Sequence, residues 1–98
     1  MHILTVAYGH PTDPDAFDAH YEQKHRGLAE AIPGLKAFTA LKCASLDGTP
    51  PPYYLLAQLT FDSEAELGSG MGSPAGQAAA GDVATFADGG ATMFVQHD

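Results

Sequence analysis

The apolar residues of this chain follow two rhythms. Four short stretches carry strand signals. His2 to Gly9, "HILTVAYG", is rich in β-branched and aromatic residues and stops at a glycine. Leu35 to Leu46, "LKAFTALKCASL", and Tyr53 to Phe61, "YYLLAQLTF", read the same way, as does the closing "GGATMFVQH". Between them, Asp15 to Ile32 has a helical period: Phe17, Tyr21, Leu28 and Ile32 form one stripe about sixty degrees wide. Asp13 is a good N-cap with Pro14 in the first turn, and "PG" at Pro33 and Gly34 stops the helix. Ser63-Glu64-Ala65-Glu66 matches a capping box and starts a second helix. Three glycines in "LGSGMGS" oppose its continuation, so a break is expected near Gly70–Ser73, with Ser73-Pro74 restarting a helix toward Ala80 and "DVATFA" adding a short turn.

Strand, helix, strand, strand, helix, strand is a split βαβ order, so the expected fold is α+β and ferredoxin-like: one four-stranded antiparallel sheet with both helices on one face. The strands look apolar on both faces. Leu4, Val6 and Tyr8 oppose Ile3 and Ala7; Tyr53, Leu55, Ala57, Leu59 and Phe61 oppose Tyr54 and Leu56; Met93 and Val95 oppose Phe94. Helices can cover only one side. The expected cover for the other is a second copy, sheet against sheet, in a homodimer.

Composition narrows the function classes. Ninety-eight residues make one domain, residues 1–98, and 45% hydrophobic content supports a core. Four basic residues stand against twelve acidic ones, a net charge of −8. Such a surface repels phosphate backbones and anionic lipid, so neither nucleic acid nor a membrane surface is an expected partner. No apolar run approaches the ~18 residues that cross a bilayer. The start of the chain lacks the basic residues and cleavage site of a signal peptide, and the single cysteine, Cys43, forms no internal disulfide. The expected location is cytoplasmic, with Cys43 a small hydrophobe buried in the second strand.

Two of the four basic residues flank His25 in "HYEQKHR", His20 to Arg26. On an ideal helix Lys24 and His25 sit on opposite edges of the apolar stripe, and Tyr21 lies one turn before His25. Arg26 and Glu22 make an ordinary surface pair. One reading has Lys24 snorkelling along the stripe and His25 bonded to a backbone carbonyl. The other has His25 facing a pocket between helix and sheet as acid or base, oriented by Tyr21, with Lys24 favouring neutral imidazole. His20 and His25 are five apart and diverge by about 140° on an ideal helix, so no metal site is expected. The glycines at 68, 70 and 72 fit no nucleotide-binding fingerprint.

These residues resemble the EthD-like family, named for a protein of ethyl tert-butyl ether degradation, within the dimeric α+β barrel superfamily. The resemblance rests on "FDAHYEQKH" (Phe17 to His25), "PGL" (Pro33 to Leu35), "YYLLAQLTFDSEAEL", and the Ser73, Pro74, Gly81, Asp82 and Phe86 segment. Arg26-Gly27 stand where a proline commonly follows the histidine, and the second helix is unusually rich in glycine. The resemblance implies protomers pairing into a barrel, each with a pocket between sheet and helices. It implies a small cofactor-free enzyme, of oxidoreductase, degradative or isomerase-like type, acting on a small hydrophobic or aromatic compound. His25 and Tyr21 are then the catalytic candidates. Tyr8, Phe17, Lys24, Phe38, Asp82, Met93 and Phe94 are candidate ligand contacts, Asp82 equally a helix cap. The competing expectations are a non-catalytic ligand-binding or accessory protein of a degradation or biosynthesis pathway, and a dimeric scaffold with a filled interior.

Overall fold

A computed structural model describes residues 1–98. The elements run β1 (His2–Tyr8), α1 (Pro14–His20), a π-helical turn (Tyr21–His25), α2 (Arg26–Glu30), β2 (Ala37–Lys42), β3 (Leu55–Phe61), α3 (Glu64–Gly72), α4 (Pro74–Phe86) and β4 (Ala91–His97). The strands form one antiparallel sheet in the order β2-β3-β1-β4. This is the expected ferredoxin-like α+β fold. The strands are shorter than their apolar runs. Cys43 lies one residue beyond β2 and is half-buried rather than buried within a strand.

The helix starts follow the capping chemistry. The Asp13 carboxylate accepts from the Ala16 N–H, Ser63 Oγ from the Glu66 N–H, and Ser73 Oγ from the Gly76 N–H. Ser73 both ends α3 and starts α4. The glycines make this corner possible. A Cβ on Gly70 would stand 2.6 Å from the Pro33 carbonyl oxygen, and one on Gly76 would run into the Gly70 carbonyl. "DVATFA" is not a separate turn; α4 continues through it to Phe86.

The first helical run departs from an ideal helix. It continues from Pro14 to Glu30, but the Arg26 N–H bonds back to the Tyr21 carbonyl, five residues earlier. One extra residue per turn shifts the buried face. That face is Phe17, Tyr21, His25, Ala29 and Ile32, whereas Lys24 is exposed and Leu28 half-buried. His25 is thus interior, not at the boundary.

The core lies between helices and sheet, with Leu4, Val6, Tyr8, Leu55, Ala57, Leu59 and Phe61 packed against Phe17, Tyr21, Ile32 and Ala79. The register places Ile3, Thr5, Ala7, Leu56, Gln58, Thr60, Thr39, Leu41, Thr92, Phe94 and Gln96 on the other face. That face is more mixed than its largest residues suggest. The Gln58 amide donates to the Thr5 hydroxyl, which donates to Gln96 Oε1, so a polar strip crosses its centre. The exposed large apolar residues of that face are Leu41 and Phe94; Met93 and Val95, also exposed, lie on the helix side of the same edge strand. No helix is long and apolar enough to cross a membrane.

Candidate functional site

The site is organised around Asp82, inside α4 and 5% exposed. His20 and His25, from either end of the π turn, both reach it. His20 Nε2 lies 2.9 and 3.0 Å from the two carboxylate oxygens, and His25 Nδ1 lies 3.0 Å from Oδ2. The Thr85 hydroxyl donates to Oδ1 at 3.1 Å, and the exposed Lys24 ammonium stands 3.7 Å away. Histidines five apart diverge on an α-helix but share a face across a π turn. A period of 3.6 assumed throughout the helix hides this convergence.

Desolvation pushes the Asp82 carboxyl up, but hydrogen bonds from His20, His25 and Thr85 outweigh it and hold the group below the usual carboxylate range. An ionised Asp82 only accepts, so each histidine presents it with an N–H. Burial pushes the His25 imidazole below its ordinary pKa, against the pull of Asp82. The result is neutral imidazole protonated at Nδ1, with Nε2 left as an acceptor. Nε2 points toward the Tyr8 hydroxyl at 3.4 Å, a long contact.

Aromatic rings enclose this arrangement. Phe86, at the end of α4, stacks on His20 and tilts against His25, both at 4.9 Å between centroids. Tyr8, Phe17 and Tyr21 pack edge-on or stacked at 5.5 to 5.9 Å. Tyr21 lies beside His25 with centroids 5.1 Å apart, and its hydroxyl is within reach of the Tyr8 hydroxyl. Desolvation holds the Tyr21 phenol protonated, its pKa pushed up to about 12.

Next to His25 is a cavity of about 30 Å³, lined by Tyr8, Tyr21, Phe38, Val83, Met71 and Met93 among others. This is room for one or two water molecules. The two methionines are its adaptable walls, and Met93 is half-exposed at the sheet edge. Of the residues singled out from sequence, Tyr8, Tyr21, His25, Phe38 and Met93 meet here, and Asp82 stands directly behind His25. Phe17 is core, Lys24 points to solvent, and Phe94 lies on the opposite face of the sheet. Asp82 caps no helix. Sequence reasoning passed over His20 and Phe86 as site residues. The spacing from Asp82 to Phe86, one turn along a helix, was the available signal. No group of three or more His, Cys, Asp or Glu side chains is arranged to hold a metal ion.

The EthD domain model matches residues 9–90, which span the π turn, Asp82 and Phe86. The chain belongs to the EthD family. A protein of Rhodococcus erythropolis, described as an uncharacterized 11.0 kDa protein in the thcB-thcC intergenic region, is 57% identical over 94 residues, covering 96% of this chain and 91% of that one. The crystal structure of an EthD family protein from Bacillus halodurans matches with a TM-score of 0.94 at 29% identity, over 100% of this chain and 98% of the other. More distant similarities concern the fold alone. A dimeric ferredoxin-like protein of unknown function from Jannaschia has a TM-score of 0.71 at 23% identity, over 100% of both chains. SnoaB of Streptomyces nogalater, a cofactor-independent oxygenase, has 0.68 at 11%, over 99% of this chain and 90% of its own.

Proposed function

We propose that this EthD family protein is a small enzyme, working without an added cofactor, that moves a proton on a small hydrophobic or aromatic compound held between helices and sheet. His25 is the acid/base. The observation that carries this reading is the contact from His25 Nδ1 to the buried Asp82 carboxylate at 3.0 Å. It fixes the tautomer, leaves Nε2 as the basic atom beside the cavity, and stabilises the imidazolium formed once Nε2 takes a proton. Hydrogen bonds from His20 and Thr85 help hold Asp82 ionised for that role. Proton transfer of this kind is a step shared by isomerisation, degradative and oxygenase chemistries, so the reading is compatible with the family and favours none of them.

The working unit in this reading is a homodimer in which a second copy covers Phe94, Leu41 and the outer strand β4. Its support is the run of exposed apolar residues on β4 and the dimeric state of the Jannaschia protein of the same fold.

The test is exchange of the α-protons of 2-indanone in D2O, followed by NMR. The protein should accelerate exchange, and His25→Gln should abolish the acceleration while leaving the fold intact. Equal exchange by the two proteins would remove His25 from the chemistry. Saturable binding of 2-indanone without any accelerated exchange would favour a ligand-binding or accessory role.

A further inference from the structure

Asp82 serves two histidines in different surroundings. Both converge on one oxygen: Oδ2 lies 2.9 Å from His20 Nε2 and 3.0 Å from His25 Nδ1. Their side chains are 28% and 7% exposed. His20 opens on a cleft of about 310 Å³, which it lines together with Asp13, Thr85 and Asp88. His25 lines the small cavity instead, where no carboxylate joins the wall. The Phe86 ring packs against both imidazoles, 4.9 Å from each. Lys24, open to solvent, stands 3.7 Å from Oδ1, and Arg26 is paired with Glu22. From the sheet and its own helix His25 meets the Tyr8 and Tyr21 phenols, which burial keeps protonated.

One carboxylate carries one negative charge, and two imidazoles draw on it. A proton on either ring makes a neutral pair with Asp82. A second proton sets two cations against one anion. Burial decides the order, because charge is opposed least at the ring that keeps some contact with water, which is His20. The neutral His20 ring already presents its Nε2 proton to Asp82, so the arriving proton goes to Nδ1. Burial first, and then the charge on His20, hold the His25 imidazole below its ordinary pKa against the pull of Asp82.

We propose that His20 is a positioning residue that governs His25 from the solvent side: it takes the first proton, engages the Asp82 charge and keeps the His25 ring neutral. The consequence for catalysis rests on the acid/base reading above, whereas the coupling itself needs no ligand. With His20 neutral, the full Asp82 charge stabilises an imidazolium forming at His25. With His20 charged, that support is shared, and the same base has a less stable conjugate acid. Acidification therefore acts on the site through a residue that does not line the cavity, before His25 itself is charged.

The test is long-range ¹H–¹⁵N NMR of the histidine rings, titrated without ligand in the wild type, His20→Gln and His25→Gln. Glutamine keeps an N–H for Asp82 and removes the titration. In the wild type His20 should titrate at a higher pH than His25. His20→Gln should raise the His25 midpoint by about half a pH unit or more, and His25→Gln should raise the His20 midpoint by the same amount, because the coupling is reciprocal. His2, His10 and His97 should not move. A role for His20 as a mere hydrogen-bond donor leaves the His25 midpoint unchanged in His20→Gln, and that result overturns the proposal. So does a change in one variant without its counterpart in the other. In the wild type alone, His25 charging before His20 overturns it as well. If the coupling is present in a protein that exchanges no 2-indanone, the inference stands and the acid/base reading falls; exchange without coupling sinks the inference alone.

Discussion

The two faces of the sheet are each incomplete, but in opposite ways. The helix side is closely packed, with Phe61 at 0%, Tyr8 and Tyr21 at 1% and Phe17 at 2% exposure, and what it leaves open is the cavity of about 30 Å³ beside His25. On the other face Thr5, Gln58 and Gln96 satisfy one another, and what it lacks is apolar cover for Phe94 and Leu41. A cavity beside the basic Nε2 of a buried histidine fits the proton-transfer role proposed for His25. A missing apolar cover on an open sheet points to another protein surface. In the proposed reading a small molecule belongs to one side and a second copy to the other.

The largest effect should come from the packed side. Phe17→Ala should cost about 3–5 kcal/mol in urea unfolding, independent of protein concentration. A much smaller cost would mean the helix side is looser than its burial implies. Asp82→Ala leaves the His25 and His20 N–H groups facing a void and should cost about 1–3 kcal/mol, with 2-indanone exchange lost as well. Full exchange in a folded Asp82→Ala protein would sever Asp82 from His25. On the open side, Phe94→Asp should change protomer stability by under about 0.5 kcal/mol but weaken association by about 2 kcal/mol, read by analytical ultracentrifugation. A stable micromolar monomer in the wild type would end the assignment of that face to a second copy.

The smallest effect concerns pH. Both Asp82 and His25 have folded pKa values below their ordinary 3.8 and 6.5. In each case the unfolded chain takes up protons first on acidification, so both contribute stability that is full above the ordinary pKa and lost as pH falls through the folded one. Stability should begin to fall just below about pH 6.5 through His25, with a slope never above about 1.4 kcal/mol per pH unit, and fall again below about pH 3.8 through Asp82. His25→Gln should remove the first decline only. A decline beginning well above pH 6.5 would contradict a depressed His25 pKa.

Much of the fold was legible because local chemistry and packing agree. Asp13, Ser63 and Ser73 cap the helices their spacing suggests, and the helix break falls at Ser73 where the glycine run predicts it. The EthD motif led to the right family for the same reason: its residues lie in the first helix, the turn after it and α4. The site was harder to read. A histidine with a tyrosine one turn away is a sequence pattern, but the carboxylate that His25 uses lies fifty-seven residues on. Joining them takes the α4 packing, and joining His20 takes the π turn, which has no signature in residue type. Asp82 read as a possible cap because an aspartate near a glycine is a common helix start; in the fold that position is mid-helix and faces the histidines. The second face was over-read as apolar because Leu56 and Phe94 draw the eye while Thr5, Gln58 and Gln96 line its centre.

The central claim is that Asp82 fixes His25 as a neutral base with Nε2 unprotonated and facing the cavity. Long-range ¹H–¹⁵N NMR of the histidine rings, followed from pH 8 down to pH 5, measures it directly. The account predicts that His25 carries its proton on Nδ1 at neutral pH and titrates below 6.5. A His25 protonated on Nε2, or one already imidazolium at pH 7, would contradict it.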